Sequence, residues 1–409
     1  MSTRASSSAH AVRMLAISPP CLVAVNRAIY RFLASEHGFA MNLVFPRSRM
    51  MGSDFQTCES SEGESVETTP LEMTGRHPRV WRLLGLERLL ESWRPTHILI
   101  DSDPASMLVR QAVQSGSRLN SARPKIWALT AENQMPDTFR DLSTGVRHLK
   151  PHLIAGPLVT WWLRNSVKTG VDRVLTISRD GTRVMEALGF RSRVTQIPLG
   201  FDRRLFYPYP PDAIASTRAR LGLTLPTIAY FGRLSPEKGL HILLPALASI
   251  KDLPWRFLID RFSAYDSPYT ARVQEQIASM GLTERVVFFD AGHAEMPEYM
   301  NAADFVVLPS ISTPKWKEQY GRVIPEAMAC GKIVIGSSSG AIPEIIGEAG
   351  YIFPEGDSGA LGELLRMLLT QEPASFKPMR EAAFRRSHSY YSVDRQAAIL
   401  AELAQYGSC

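Results

Sequence analysis

The chain predicts an α/β protein built from two doubly wound, Rossmann-like domains, and three observations carry that expectation. Short apolar runs suited to buried parallel strands alternate with segments of helical periodicity. At 409 residues the chain is too long for one ordinary core, and two domains of about 200 residues each are expected. The proline cluster Tyr207-Pro208-Tyr209-Pro210-Pro211 cannot join a sheet and marks a stiff crossing between the halves.

The elements follow in order. Residues 13–18 predict a first parallel strand, closed by Pro19-Pro20, and residues 24–35 a helix with Ile29, Phe32 and Leu33 on one face. Residues 41–45 form a second strand. Residues 52–78, rich in Ser, Glu and Thr with few large apolar groups, predict a long, mobile, acidic loop. A helix over 81–92, a strand over 96–100, a helix over 107–115 and a strand over 125–130 come next. A helical stretch with His148, His152 and Trp161-Trp162 then leads to a strand over 173–177. No carboxylate or Cys shares the histidines' spacing, which argues against a metal there. Trp161, Trp162 and Leu163 are expected to serve interdomain packing, with a membrane or lipid contact as the alternative. Residues 181–188 form a helix and 194–198 a strand. In the second half, the strand 227–231 breaks at Gly232, a basic turn follows, and leucines and alanines at helical spacing predict a buried helix over 240–250. Residues 304–309 and 332–336 are further strands, and 392–404 a terminal helix.

Composition removes several function classes. No apolar run reaches the roughly 18–20 residues of a membrane span. The Ser-rich start lacks the apolar core of a signal peptide. Cys21, Cys58, Cys330 and Cys409 show neither metal spacing nor a disulfide framework, a usage that favours a reducing cytosol. The net charge of +6 suits an anionic surface. Adjacent basic residues occur only as Arg203-Arg204 and Arg385-Arg386, without interleaved aromatics, so nucleic acid is not an expected partner. A cytoplasmic protein is expected, either touching the inner face of the membrane or simply basic all over.

The chemistry concentrates in residues 318–331. Glu318 and Glu326 stand eight positions apart, with Tyr320-Gly321 between them and Glu-Ala-Met-Ala after them. A strand, a loop and a helix N-terminus in succession are where α/β proteins hold anionic ligands. Gly321 lets a ligand approach the backbone, and the amides near Arg322 and Val323 would face it. Carboxylates repel phosphate, so Glu318 and Glu326 suit the hydroxyls of a sugar and a ribose instead. Arg233 and Lys238 flank the turn after the strand 227–231, where two cations can neutralise a diphosphate.

The Glu318–Glu326 segment resembles the Glu-x7-Glu motif of the retaining glycosyltransferases of family 4, which have the GT-B fold. Gly232-Arg233-Leu234 with Lys238-Gly239 is similar to that family's Gly-Arg-Leu-x-x-x-Lys-Gly signature. Ser178, the helix after it, Ile197-Pro198-Leu199-Gly200-Phe201-Asp202 and Phe206-Tyr207-Pro208 resemble its interdomain crossing. The resemblance implies an acceptor-side domain over residues 1–200, with 390–409 packing back onto it, and a nucleotide-sugar domain over 201–389. It implies Glu318, Arg233 and Lys238 as catalytic groups, and a donor site completed by Gly232, Arg261, Tyr320, Gly321, Arg322, Val323 and Glu326. The donor would be a nucleotide diphosphate sugar, with no metal or other cofactor required. The acceptor would be a sugar, a lipid-linked molecule or a small molecule, in polysaccharide, lipopolysaccharide or other glycoconjugate synthesis.

The chain departs from that family in three places, and one further motif offers a competing reading. The turn after the first strand, residues 19–27, has no glycine, and Asn26 and Arg27 are expected to supply side-chain contacts on the acceptor side. Where relatives carry a His after the strand 125–130, this chain has Glu132-Asn133; either can hold the sugar or the acceptor, and Glu132 can accept the acceptor proton, unless the two only form a turn. Asp260-Arg261-Phe262-Ser263 lacks the usual glycines, so Arg261 and Phe262 crowd or stack on the base. Asp101-Ser102-Asp103 is literally an Asp-x-Asp triplet. It offers a metal-dependent glycosyltransferase as one alternative; otherwise the two aspartates line the acceptor cleft or cap the helix at Pro104. A non-catalytic nucleotide-sugar-binding protein on a degenerate scaffold is the other alternative.

Overall fold

The computed structural model describes residues 12–407 apart from 52–53, 61, 76, 120–121, 137–150 and 262–267. The chain divides into two compact units. One comprises Met1–Ile177, Gly181–Ile197 and Gln396–Cys409; the other comprises Ser178–Asp180 and Pro198–Arg395.

The first unit is built on a seven-stranded, wholly parallel sheet. Its strands are β1 (Arg13–Ile17), β2 (Ala40–Pro46), β5 (Glu67–Leu71), β8 (His97–Asp101), β9 (Lys125–Thr130), β10 (Arg173–Thr176) and β11 (Val194–Gln196), in the order β11-β10-β9-β8-β1-β2-β5. Two hairpins, β3 (Ser48–Met51) with β4 (Asp54–Thr57) and β6 (Met73–Thr74) with β7 (Arg82–Leu83), lie outside that sheet. Met14, Leu15, Ala16 and Ile17 are all buried, because helices cover both faces of a parallel sheet and leave no strand face to water. The core beneath one face gathers Leu15, Ile17, Ile98 and Ile100 with Leu108 and Val109 of the helix Met107–Ser117 and Leu86 and Leu90 of the helix Leu86–Trp93.

The second unit carries a six-stranded parallel sheet. Its strands are β12 (Thr227–Tyr230), β13 (Arg256–Asp260), β14 (Val286–Phe289), β15 (Phe305–Leu308), β16 (Ile333–Ser337) and β17 (Tyr351–Phe353), in the order β14-β13-β12-β15-β16-β17. The helix Leu240–Ala248 buries Leu240, Leu243, Leu244 and Leu247 against Ile228, Tyr230 and Phe257. In both sheets the first strand lies inside, flanked by the second and by a later one. The winding reverses beside it, between β1 and β8 in one unit and between β12 and β15 in the other. The carboxyl ends of strands at such a reversal open a crevice suited to ligands.

Two expectations are corrected. The acidic segment 52–78 is not a single mobile loop, since it holds β4, β5 and β6. β5 pairs along β2 at the sheet edge, and Thr69 Oγ1 donates to Asn42 Oδ1 at 2.9 Å. An edge strand gets its order from main-chain pairing and needs no apolar run, and Pro70 sits there without costing the sheet a bond. The helix expected over 81–92 starts later, at Leu86, because Gly85 takes φ +85° after β7 has paired with β6.

Candidate functional site

The site forms at the reversal between β12 and β15. Tyr230 ends β12 buried, and its hydroxyl donates to the carbonyl of Arg233 at 2.7 Å, pinning the basic turn to the strand end. Gly232 leaves room there, since a Cβ on it would lie 3.2 Å from that hydroxyl oxygen. A short turn, Pro236–Lys238, follows and ends at Gly239 with φ +75°. A Cβ on Gly239 would stand 1.8 Å from the Pro309 carbonyl oxygen, so only glycine lets this turn lie on the loop after β15. That contact delivers Lys238. Its Nζ sits 2.7 Å from Glu318 Oε2, and Ser310 Oγ donates to the same oxygen at 2.7 Å. The pair is enclosed, with side-chain exposures of 14% for Lys238 and 6% for Glu318. The Trp316 ring lies 5.0 Å from the ammonium.

Glu318 is fixed through its main chain as well. Its carbonyl accepts from Ala341 N at 3.0 Å, and a Cβ on Gly340 would come within 2.0 Å of that carbonyl oxygen. Gly321 takes φ +75° with Leu308 and Ile324 packed close, and the helix Val323–Ala329 begins two residues later. Glu326 is buried on this helix, with Arg322 Nη2 3.7 Å from its Oε1. Burial pushes its carboxyl up to about 7, against the opposing pull of the Arg322 guanidinium. Arg233 remains 49% exposed, with Glu237 4.0 Å away.

Sequence and structure part company at Tyr320. Its ring is buried and its hydroxyl donates to the Leu199 carbonyl at 3.0 Å, so the side chain braces the loop and does not face a donor. Arg261 lies exposed beyond β13 with its guanidinium 5.3 Å from the Phe288 ring centre; Phe262 and Ser263 lie outside the described residues. Ser310 and Trp316 were not singled out from the sequence. A buried Ser directly after Pro309, at the end of an apolar strand, is the one signal that pointed to the first.

The first unit's named residues divide differently. Arg27 is corrected outright, since its side chain is fully buried. Nε donates to Cys21 O, Nη1 to Ser60 O and Nη2 to Glu59 O, each at 2.9 Å, while Glu64 Oε1 lies 3.2 Å from Nη1. It anchors the segment after β4 and offers nothing to an acceptor. Asn26 Nδ2 donates to Pro20 O at 2.8 Å. Asp101 accepts from Ser18 Oγ at 2.9 Å, and burial raises its carboxyl to about 6. Asp103 accepts from Ala105 N at 2.6 Å and from Thr130 Oγ1 at 3.1 Å, the pattern of a turn cap. The two carboxylates of the Asp-x-Asp triplet thus serve different donors. Among the described residues no three His, Cys, Asp or Glu side chains are grouped to hold a metal ion. Glu132 lies 3.6 Å from Arg79 Nη2, its carboxyl raised by burial and by Asp103, and Asn133 beside it is buried. Trp161 and Trp162 do not pack inward as expected: they are 56% and 45% exposed, whereas Leu163 is buried. His148 and the side chain of His152 lie outside the described residues.

Residues 216–386 match the family described as Glycosyl transferases group 1. That match lies within the second unit. The chain is 30% identical over 246 residues to the GDP-mannose-dependent alpha-(1-6)-phosphatidylinositol monomannoside mannosyltransferase of Mycolicibacterium smegmatis, covering 57% of this chain and 62% of the relative. It is 32% identical over 196 residues to the D-inositol 3-phosphate glycosyltransferase of the same organism, covering 45% of this chain and 42% of the relative. It therefore spans less than two-thirds of either curated relative. Among solved structures, Anabaena HepE in complex with UDP and glucose superposes with a TM-score of 0.70 at 19% identity, over 97% of this chain and 100% of that one. WaaG, a glycosyltransferase involved in lipopolysaccharide biosynthesis, gives 0.65 at 14% identity, over 96% and 100%. At those identities the likeness shows the fold, which is GT-B.

Proposed function

We propose that the protein is a retaining glycosyltransferase of the family 4 type that moves a sugar from a nucleotide diphosphate sugar to an acceptor hydroxyl. The observation that carries this is the enclosed Lys238–Ser310–Glu318 cluster at the carboxyl ends of β12 and β15. Without donor, the ammonium and carboxylate neutralise each other, so neither charge is buried alone. An arriving diphosphate competes for Lys238 and brings Arg233 in from solvent. Glu318 is then released to accept hydrogen bonds from the sugar hydroxyls, held in place by Ser310. Glu326 takes the ribose hydroxyls. The bond from the anomeric carbon to the diphosphate breaks with the electron pair leaving on phosphate oxygen, where the two cations stabilise the charge; each well-placed donor is worth about 3–4 kcal/mol. The acceptor oxygen bonds to the same face of the sugar. Glu132, raised by burial, is the assigned acceptor for its proton.

Two cations on the leaving group supply the charge that a divalent metal would otherwise bring, so turnover should survive chelation. The donor is a hexose nucleotide: one curated relative is named as GDP-mannose-dependent, and one fold neighbour is solved with UDP-glucose. The acceptor is a sugar, a lipid-linked molecule or a small molecule; the relatives' names include phosphatidylinositol monomannoside and D-inositol 3-phosphate. A thermal-shift panel of UDP, GDP and ADP with their sugars, followed by turnover of whichever donor stabilises the protein, tests the reading. Stabilisation by a sugar nucleotide without any turnover on acceptor panels would identify a binding protein instead. Turnover abolished by EDTA, restored by Mn²⁺ and lost in Asp101→Ala or Asp103→Ala would establish the metal-dependent alternative.

A further inference from the structure

The helix Pro151–Val167 presents two apolar faces where its place in the fold accounts for one. Thr160, Leu163 and Val167 recur at helical spacing and are buried, packing toward the helix Met107–Ser117. Leu158, Val159, Trp161 and Trp162 fan out on the opposite side, all exposed. At 100° per residue, Leu158 and Trp162 sit at the centre of that fan, with Val159 and Trp161 on its flanks. Val80 and Leu84, also exposed, border the turn Pro78–Val80 and β7, which pack on the same Met107–Ser117 helix. Single exposed apolar side chains are ordinary; two adjacent tryptophans among four large apolar groups on one helix are not.

Charge says what covers this face. Residues 151–171 contain no Asp or Glu, and Lys168 follows the helix directly, whereas Arg164 turns to the other side, toward Asp103 and Arg79. Arg110 stacks its guanidinium 4.1 Å from the Trp162 ring centre, placing a cation at the edge of the patch. An apolar, Trp-bearing surface with Arg110 at its edge, Lys168 beyond the helix end and no acid along its helix is complementary to one kind of partner, an anionic bilayer surface. The indoles suit the headgroup boundary, and the cations suit phosphate-bearing lipids. Among the described residues no helix is long and apolar enough to cross a membrane, so contact here would be peripheral.

The geometry points to this face as a docking surface for anionic membrane. The inference stands apart from the proposed chemistry, because lipid binding is read without turnover. The full chain is sedimented with phosphatidylcholine vesicles and with vesicles carrying about one-third phosphatidylglycerol, a strongly anionic surface. Trp161→Ser and the double variant Trp161→Ser/Trp162→Ser are compared with the parent, circular dichroism and melting confirming that each is folded. The single variant keeps the Arg110 stack intact and so isolates the apolar contribution. Binding is expected on anionic vesicles only, with a blue shift in tryptophan emission, and is expected to fall about tenfold or more in each variant. Three results overturn the assignment: no partition onto anionic vesicles, partition unchanged in both variants, or sedimentation equilibrium showing self-association that the same substitutions abolish. The last would make a second copy of the chain the occupant.

Discussion

The two winding reversals share one topology and have opposite contents. Between β12 and β15, glycines at 239 and 340 bring main chains together, and Lys238 and Glu318 face each other. Between β1 and β8, Ser18 bonds to Asp101, Cys21 and Tyr30 are buried, and the Arg27 guanidinium is used up on carbonyls and Glu64. The first reversal has charges that a ligand can recruit; in the second they are committed to holding the fold. Topology nominates a site, and the side chains at the strand ends decide whether chemistry can occur there.

The strongest way to break this contrast is to treat Arg27 as functional. Arg27→Met should cost about 3 kcal/mol or more of stability, because the carbonyls of Cys21, Glu59 and Ser60 lose their enclosed donor, although Glu64 keeps Arg31. Urea unfolding would read that loss, and calorimetry on the folded fraction should show unchanged donor affinity. A variant as stable as its parent but impaired in transfer would reverse the roles assigned to the two reversals.

At the other reversal, Lys238→Ala and Arg233→Ala should each slow transfer by about a hundredfold, roughly 2.7 kcal/mol of transition-state stabilisation. The two should separate in stability. Lys238→Ala takes the cation from a buried carboxylate and lowers the melting temperature, whereas Arg233, half exposed, can be removed with the fold intact. Equal melting temperatures would show that the Lys238–Glu318 pair contributes nothing before donor binds.

Glu318→Gln should cripple transfer more than it weakens binding of the free diphosphate, and Glu326→Gln should weaken the nucleotide itself, each by about 1.5–3 kcal/mol. Calorimetry with the diphosphate and with the intact sugar nucleotide distinguishes them. Matching losses of diphosphate affinity would merge the two roles.

The smallest effect concerns pH. The Glu326 carboxyl sits at about 7 in the folded protein, above its ordinary value of 4.5. Between those values the folded state holds a proton that the unfolded state has released, so this group's contribution to stability is lost as pH rises toward 7. Nucleotide affinity should move the other way, growing as pH passes 7 and the carboxylate becomes the better acceptor for ribose hydroxyls. Glu326→Gln should flatten both profiles; a parent affinity independent of pH would remove Glu326 from the ribose.

Much of this was legible beforehand. Apolar runs marked the interior strands, since a strand covered on both faces must be apolar along its length. Gly232-Arg233 with Lys238-Gly239, and the spacing from Glu318 to Glu326, located the candidate site, because turn glycines and charges next to them are local features. β5 was not legible, as its order comes from β2 and not from its own Thr-rich composition. Tyr320 read as a donor contact, although its hydroxyl is committed to Leu199, more than a hundred positions back in the chain.

The sequence by itself determined the alternation of strands and helices, the half of the chain that holds the candidate site, and the charges available there, all of which follow from short-range pattern. Only the tertiary structure decided which of those charges meet. Lys238 finds Glu318 eighty residues on, Arg27 turns inward to Glu64, and Trp161 and Trp162 face outward beside the buried Leu163. A cation's role depends on whether a carboxylate or water stands opposite it, and that is a property of the packed chain.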